Sequence, residues 1–207
     1  MNLVVDGVEN PMSVESGTSL GEVLKRVDSY LWTRKRMMVS VCINGHEVSP
    51  EELGQESART GDSVQTVQVR SEPAAALADK TLSEVEDHLP ALAQTVKELA
   101  ALFQQDKVAE GLEGCKRVTE IWMEIVSKER RAAGAVQLNL DELEVDGKSI
   151  NEHQAELNRF LQEALQAMER KDYLLLGDLL EHELAPRLDT ELKIVNELRR
   201  AVQANLT

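Results

Sequence analysis

The spacing of apolar residues changes once along this chain, near residue 72, and no other feature restricts its fold as strongly. Before that point valines and isoleucines come in short alternating runs, broken by Asp6-Gly7 and Asn44-Gly45, dipeptides that accept the positive φ angles of tight hairpin turns. After it, apolar positions recur every three or four residues, the period of amphipathic helices. A chain of 207 residues is long enough for two cores. The change of period predicts an α+β protein in two parts, an N-terminal module over 1–72 and an all-α bundle over 81–207, with 73–80 as the linker.

In the first part, Leu3–Val5 and Val8–Val14 read as a hairpin. Ser19 followed by Glu22 is a capping-box pattern, and Leu20, Val23, Leu24, Val27 and Leu31 share one helical face. Val39, Val41 and Ile43 alternate as a strand that Asn44-Gly45 turns back through Val48. Ser49-Pro50-Glu51-Glu52 then supplies an N-cap, a first-turn proline and acids at the positive end of a short helix. Val64, Val67 and Val69 close the segment as a last strand. This order of hairpin, helix, strand, strand, short helix and strand resembles the β-grasp fold of ubiquitin-like proteins, sulfur carriers among them, over residues 1 to about 71. Members activated for conjugation end in a free Gly-Gly, whereas Arg70-Ser71-Glu72-Pro73 runs on into the second part. The resemblance therefore implies a protein-binding or scaffolding module without conjugation chemistry.

In the second part Thr81 with Glu84 repeats the capping pattern ahead of a stripe at Leu82, Val85, Leu89, Leu92, Val96, Leu99 and Phe103. Pro90 removes a backbone donor inside that stripe and predicts a kink, or two abutting helices, near His88. A second helix, capped by Asp106, carries Val108, Leu112, Cys115, Val118, Trp122 and Ile125, with Trp122 at the bundle centre. A third starts at Ser149 with Glu152 as its capping partner and presents Leu157, Phe160, Leu161, Leu165 and Met168. Asp172 caps a fourth, striped by Leu176, Leu180, Leu184, Leu188, Leu192, Val195, Leu198 and Val202. These helices read as a bundle of two α-hairpins. Ala101 to Gly111, ALFQQDKVAEG, matches Ala167 to Gly177, AMERKDYLLLG, at its Ala, Asp and Gly positions, the pattern of a duplicated hairpin. Ala132 to Lys148 is long for a connection, alternates at Val136, Leu138 and Leu140, and reads as an extended crossover strap with a small hairpin at Asp146-Gly147, a functional loop being the alternative.

Charge and motifs bound the chemistry. With 37 acidic against 23 basic residues the net charge is -14, which repels phosphate backbones and anionic lipid headgroups, so neither nucleic acid nor membrane is expected as a partner. No apolar run approaches the roughly 18 residues of a membrane span, and the opening MNLVVDGVENP has no signal-peptide pattern, so a cytoplasmic location is expected. Gly147-Lys148-Ser149 at a helix start has Glu142 where a phosphate-binding loop needs its upstream glycine, and reads as a capping turn. His46, His88, His153 and His182 form no metal-ligand spacing; the acids around His182, namely Asp178, Glu181 and Glu183, could hold a cation weakly but read first as a solvated helix face. Cys42 and Cys115 read as small buried hydrophobes. No Gly-x-Ser-x-Gly nucleophile pattern occurs. No catalytic, cofactor-binding or metal residue is assigned, and a non-enzyme is expected.

What remains points to proteins as partners. Leu174, Leu175 and Leu176 widen the apolar face of the last helix beyond one bundle seam. Arg34-Lys35-Arg36, after Trp32, is the notable basic cluster; it sits where cations complement a helix C-terminus, and alternatively it could meet an acidic partner. The helical part, with its Lys-Asp turn and Leu-rich last helix, resembles the helical export chaperones of bacterial flagellar systems, which implies a role in covering helices of another protein. The leading expectation is a non-catalytic protein-binding adaptor or chaperone-like protein. A structural homo-oligomer, with a homodimer as its simplest form, is the second reading, and an enzyme with an unrecognised site the third.

Overall fold

A computed structural model describes residues 1–15, 17–59 and 63–205. Its backbone contacts divide the chain into two compact units, Met1–Ala76 and Leu77–Thr207. The architecture is α+β, a five-stranded sheet followed by a largely helical region.

The first unit is built around a sheet in the order β2-β1-β5-β3-β4. Its strands are β1 (Asn2–Val5), β2 (Val8–Glu9), β3 (Arg36–Ile43), β4 (His46–Val48) and β5 (Thr66–Pro73). β1 runs parallel to β5, and the other pairings are antiparallel. Both hairpins turn on paired positive φ angles, 50° and 80° at Asp6 and Gly7, 51° and 86° at Asn44 and Gly45. Helix α1 (Leu20–Trp32) buries Leu20, Val23, Val27 and Leu31 in a core with Leu3, Val5, Val41, Ile43, Val67 and Val69. The capping boxes at Ser19/Glu22 and Ser49/Glu52 both form, the second opening α2 (Pro50–Glu56).

Three details of this unit differ from the sequence expectation. The second strand stops at Glu9, well short of Val14, because Asn10 adopts φ 46° and its side chain accepts the Leu3 N–H at 3.1 Å, ending the ladder. Val64 is buried but precedes the last strand, since Asn44 Oδ1 accepts the N–H groups of Gln65 and Thr66 at 2.8 and 3.0 Å and holds that approach as a turn. Cys42 is half-buried where full burial is expected, because it lies between Val41 and Ile43 and so projects from the opposite side of β3 to these core residues.

Two helical hairpins make up most of the second unit. The first pairs α3 (Ala74–Gln104) with α4 (Val108–Ala135), and the second pairs α5 (Ile150–Glu169) with α6 (Tyr173–Leu179) and its continuation. That continuation is a π-helical turn at Leu180–Leu184 leading into α7 (Ala185–Ala204). Between the hairpins, β6 (Glu144–Val145) and β7 (Lys148–Ser149) pair across Asp146-Gly147, with β6 against α7. The Ser149/Glu152 capping box opens α5. Among the described residues no helix is long and apolar enough to cross a membrane.

Several expectations for this region need correction. Residues 74–80, expected as linker, are helical: alanine has the highest helix propensity, and Ala74, Ala75 and Ala78 are buried. Thr81 therefore lies inside α3, where its hydroxyl donates to the Leu77 carbonyl, and caps nothing. Pro90 lies inside α3, which is one helix and not two abutting ones. Asp106 does not cap α4; it takes φ 59° just beyond the end of α3, and Lys107 stands at the N-cap without a side-chain bond. At the second turn Lys171 has φ 57°, and Asp172 is the true cap, accepting the Leu175 N–H.

The two turns are alike in geometry, since the Lys107 N–H bonds Leu102 O as Asp172 N–H bonds Ala167 O, both at 2.9 Å. Their register, however, is one residue off the sequence match. Each helix ends in a Schellman motif with a non-glycine residue in the left-handed position, and that position defines the equivalence. At the next connection α4 continues through the buried Ala132 and Ala133 to Ala135, and no strand forms at Val136, Leu138 or Leu140.

Candidate functional site

Helices α4 and α5 run antiparallel, and along one end of their seam the apolar side chains do not meet. Cys115, Val118 and Met123 of α4 face Leu161, Leu165 and Met168 of α5 across an open groove of about 570 Å³, floored by Leu176, Leu180 and Leu184. Met123 is 65% exposed and Leu165 54%. Both belong to sequence stripes or lie beside them, yet they are left facing solvent. From Cys115 to Met123 the wall is about 12 Å long at 1.5 Å per residue, roughly two helical turns. Burial pushes the Cys115 thiol up to about 11, so it is a packing group here and no nucleophile.

At the other end the seam is closed by polar side chains. Glu129 of α4 and Glu191 of α7 are fully buried. Gln154 of α5 bridges Glu129 to solvent-side charge: its Nε2 donates to Glu129 Oε2 at 3.3 Å, while its Oε1 accepts from Arg130 Nε at 2.8 Å. Arg187 of α7 lies with its Nε 3.9 Å from Glu191 Oε2 and its Nη1 3.8 Å from Glu156 Oε2. Its Nη2 donates to the His153 carbonyl. His153 Nε2 in turn bonds the Val145 carbonyl at 2.8 Å, tying α5 to the small hairpin. Burial first, then the neighbouring Glu191 charge, drives the Glu129 carboxyl well above the usual carboxylate range. Among the described residues no three His, Cys, Asp or Glu side chains are placed to hold a metal ion.

A family model described as "Domain of unknown function (DUF8042)" matches residues 80–192, more than half of the chain. The chain belongs to the DUF8042 family. The matched DUF8042 span contains the whole groove and the whole polar layer, from Cys115 to Glu191. A relative outside this chain is an uncharacterized protein of Treponema pallidum (strain Nichols), 25% identical over 187 residues, which are 90% of this chain and 92% of that one. No solved structure matches.

The residues singled out from sequence do not form one site. Leu174 and Leu175 are exposed on α6, at 76% and 43%, while Leu176 is fully buried in the groove floor. Arg34 sits 3.7 Å over the Tyr30 ring and donates to the Tyr30 carbonyl at the end of its own helix. Lys35 is exposed at φ 55°. Arg36 is committed to Ser71, at 2.7 Å from both its hydroxyl and carbonyl, and to Asp6 at 3.3 Å. These cations belong to the first unit and the leucines to the second. Glu129, Gln154, Arg187 and Glu191 were not singled out. The available signal was a carboxylate standing where each stripe demands an apolar residue, Glu129 after Trp122 and Ile125, and Glu191 between Leu188 and Val195.

Proposed function

We propose that the chain is a non-catalytic protein-binding adaptor or chaperone-like protein whose helical unit takes up an amphipathic helix of a partner, apolar on one face and basic on its flanks. The observation that carries this reading is the open groove between α4 and α5, with Met123 and Leu165 exposed above a leucine floor. Its two-turn length suits a helix anchored at i, i+3 or i+4, and i+7, the usual mode of helix-in-groove recognition. The net charge of -14 favours a cationic partner and opposes a second copy of the chain on the same face. The likeness to helical export chaperones and the ubiquitin-like element order of the first unit fit the same role.

A labelled helical peptide with leucines at i, i+3, i+4 and i+7 and lysines opposite serves as the probe, read by fluorescence anisotropy. Leu165→Glu should weaken binding at least about tenfold, roughly 1.4 kcal/mol, whereas Leu192→Glu, on α7 outside the groove, should leave it unchanged. Equal binding to both variants, or to a scrambled peptide of the same charge, overturns the groove as the docking site. Exposed Leu174 and Leu175 favour the homo-oligomer as the second reading. A dimer in light scattering that Leu174→Ser with Leu175→Ser dissolves would support it.

A further inference from the structure

Glu129 and Glu191 are 0% and 1% exposed, and Glu191 acts on the Glu129 carboxyl both through its charge and as a side-chain hydrogen-bond partner. One oxygen of each carboxyl, Oε2, is turned to a polar neighbour, Gln154 for Glu129 and Arg187 for Glu191. The other, Oε1, is offered no hydrogen-bond donor in either residue among the described residues. A carboxylate only accepts, so two ionised carboxylates cannot bond each other; a bond between them requires a proton on one. Charge leads to the same count. Among the described residues Arg187 is the one cation within 4 Å of either carboxyl, at Glu191, and it is also drawn toward Glu156. With one proton the pair carries a single negative charge against that guanidinium; without it, two negative charges would lie buried against one shared cation, an arrangement the interior penalises heavily.

We propose that Glu129 and Glu191 share one proton in the folded protein, and that this proton locks α4 against α7. The groups facing the pair come from three helices and the small hairpin. α4 contributes Arg130, held by Gln154, and Trp122 two turns earlier, whose indole N–H has no partner. α5 contributes Gln154, Glu156 and His153, whose Nδ1 is unpartnered and whose Nε2 is fixed on Val145 of the hairpin. α7 contributes Arg187. On α3, Asp79 and Glu86 are paired with Arg199, two turns beyond Glu191. None of these supplies a second cation to the pair.

The consequence is directional. The folded chain holds a proton that an unfolded glutamate, with a pKa of about 4.3, releases. The lock is complete below that value and is lost as pH rises through the value the pair has in the fold. This holds whether or not the groove binds a peptide.

Infrared spectroscopy in D₂O at pH 7 should show the C=O stretch of a protonated carboxyl in the wild type, absent in Glu129→Gln and in Glu191→Gln. Calorimetric unfolding at pH 7, in buffers of different ionisation enthalpy, should release about one proton more from the wild type than from Glu129→Gln. Glutamine keeps a donor between the two side chains, so this variant should fold and show a flatter decline of its unfolding midpoint with rising pH. If it does not fold, the wild-type band and its loss with rising pH decide alone. No protonated carboxyl in the wild type at pH 7, or equal proton release from wild type and variant, overturns the proposal.

Discussion

Phe103, at the end of α3, is gripped between two glycines that the structure uses in opposite ways. A Cβ at Gly111 would sit 2.6 Å from the ring, and the ring has little room to move because it also stacks on Tyr173 at 6.2 Å between centroids. Overpacking of this kind costs about 1–3 kcal/mol, more than the roughly 1 kcal/mol that alanine gains over glycine inside a helix. Gly111→Ala should therefore lower the urea midpoint. At Gly177 the same Cβ would meet Phe103 Cβ at 3.4 Å, an ordinary contact, so Gly177→Ala should raise stability by about 0.4–1 kcal/mol through the unfolded chain's lost freedom. Effects of the same sign would show that Phe103 is not wedged against Gly111. Sequence alignment of the two hairpins made these glycines equivalent, yet the left-handed residues that close the turns, Asp106 and Lys171, are 65 apart whereas the glycines are 66 apart. Identity at a fixed spacing thus revealed the repeated hairpin but not which residues occupy the same place.

Among the elements, the last helix shows most clearly where periodicity carries an argument and where it stops. Leu176, Leu180, Leu184 and Leu188 step by four, and each such step overshoots an α-helical turn by about 40°, so an unbroken α-helix would swing the stripe off the core. The π-helical turn at Leu180–Leu184 is wider by nearly one residue and restores the alignment, and all four leucines are buried. Beyond it the buried face continues at Glu191, Ile194, Val195 and Leu198, while Leu192 is exposed. A reading that keeps stepping by four places Leu192 inside and passes over Glu191, which is why half of the polar layer was missed. The same helix is clamped to α3 by Arg199, which donates to Asp79 at 3.0 Å and also to Glu86, with Gln203 adding a bond to Asp79 at 3.1 Å. Arg199's hydrogen bond is the main cause holding the Asp79 carboxyl below its ordinary value. Its contribution is present above the unfolded pKa of about 3.9 and is lost as pH falls through the folded one. Asp79→Asn should therefore lower the unfolding midpoint at pH 7, and the gap to wild type should close as acid is added. A constant gap across the acid range would mean the clamp contributes by packing alone. This dependence has the opposite sign to that of the Glu129–Glu191 pair.

At the scale of the whole molecule, the α+β division was legible because hairpin dipeptides and capping boxes are local: Asp6-Gly7, Asn44-Gly45, Ser19, Ser49 and Ser149 each specify their own turn or helix start. The groove was not legible, because Leu165 and Met123 look like core or ordinary surface until the splay of α4 from α5 is known. The conformation of residues 74–80 was misread for a simpler reason: Pro73 followed by alanines resembles a linker in composition, while alanines favour helix and Ala74, Ala75 and Ala78 are buried. That difference decides where a protease acts first, since cleavage needs several residues of extended, accessible backbone. The stretch 73–80 ends a strand and begins α3, with its N–H and carbonyl groups largely committed. Residues 136–143 have no regular structure and carry Leu138 and Leu140 partly exposed, whereas Met12 and Val14 in the first unit's loop pack against its core. Brief thermolysin digestion should therefore cut first within 136–143, giving a fragment whose C-terminus mass spectrometry places there. A first cut within 73–80 would mean that α3 does not hold its first two turns in solution, and that the compositional reading of a linker describes the chain better than its burial does.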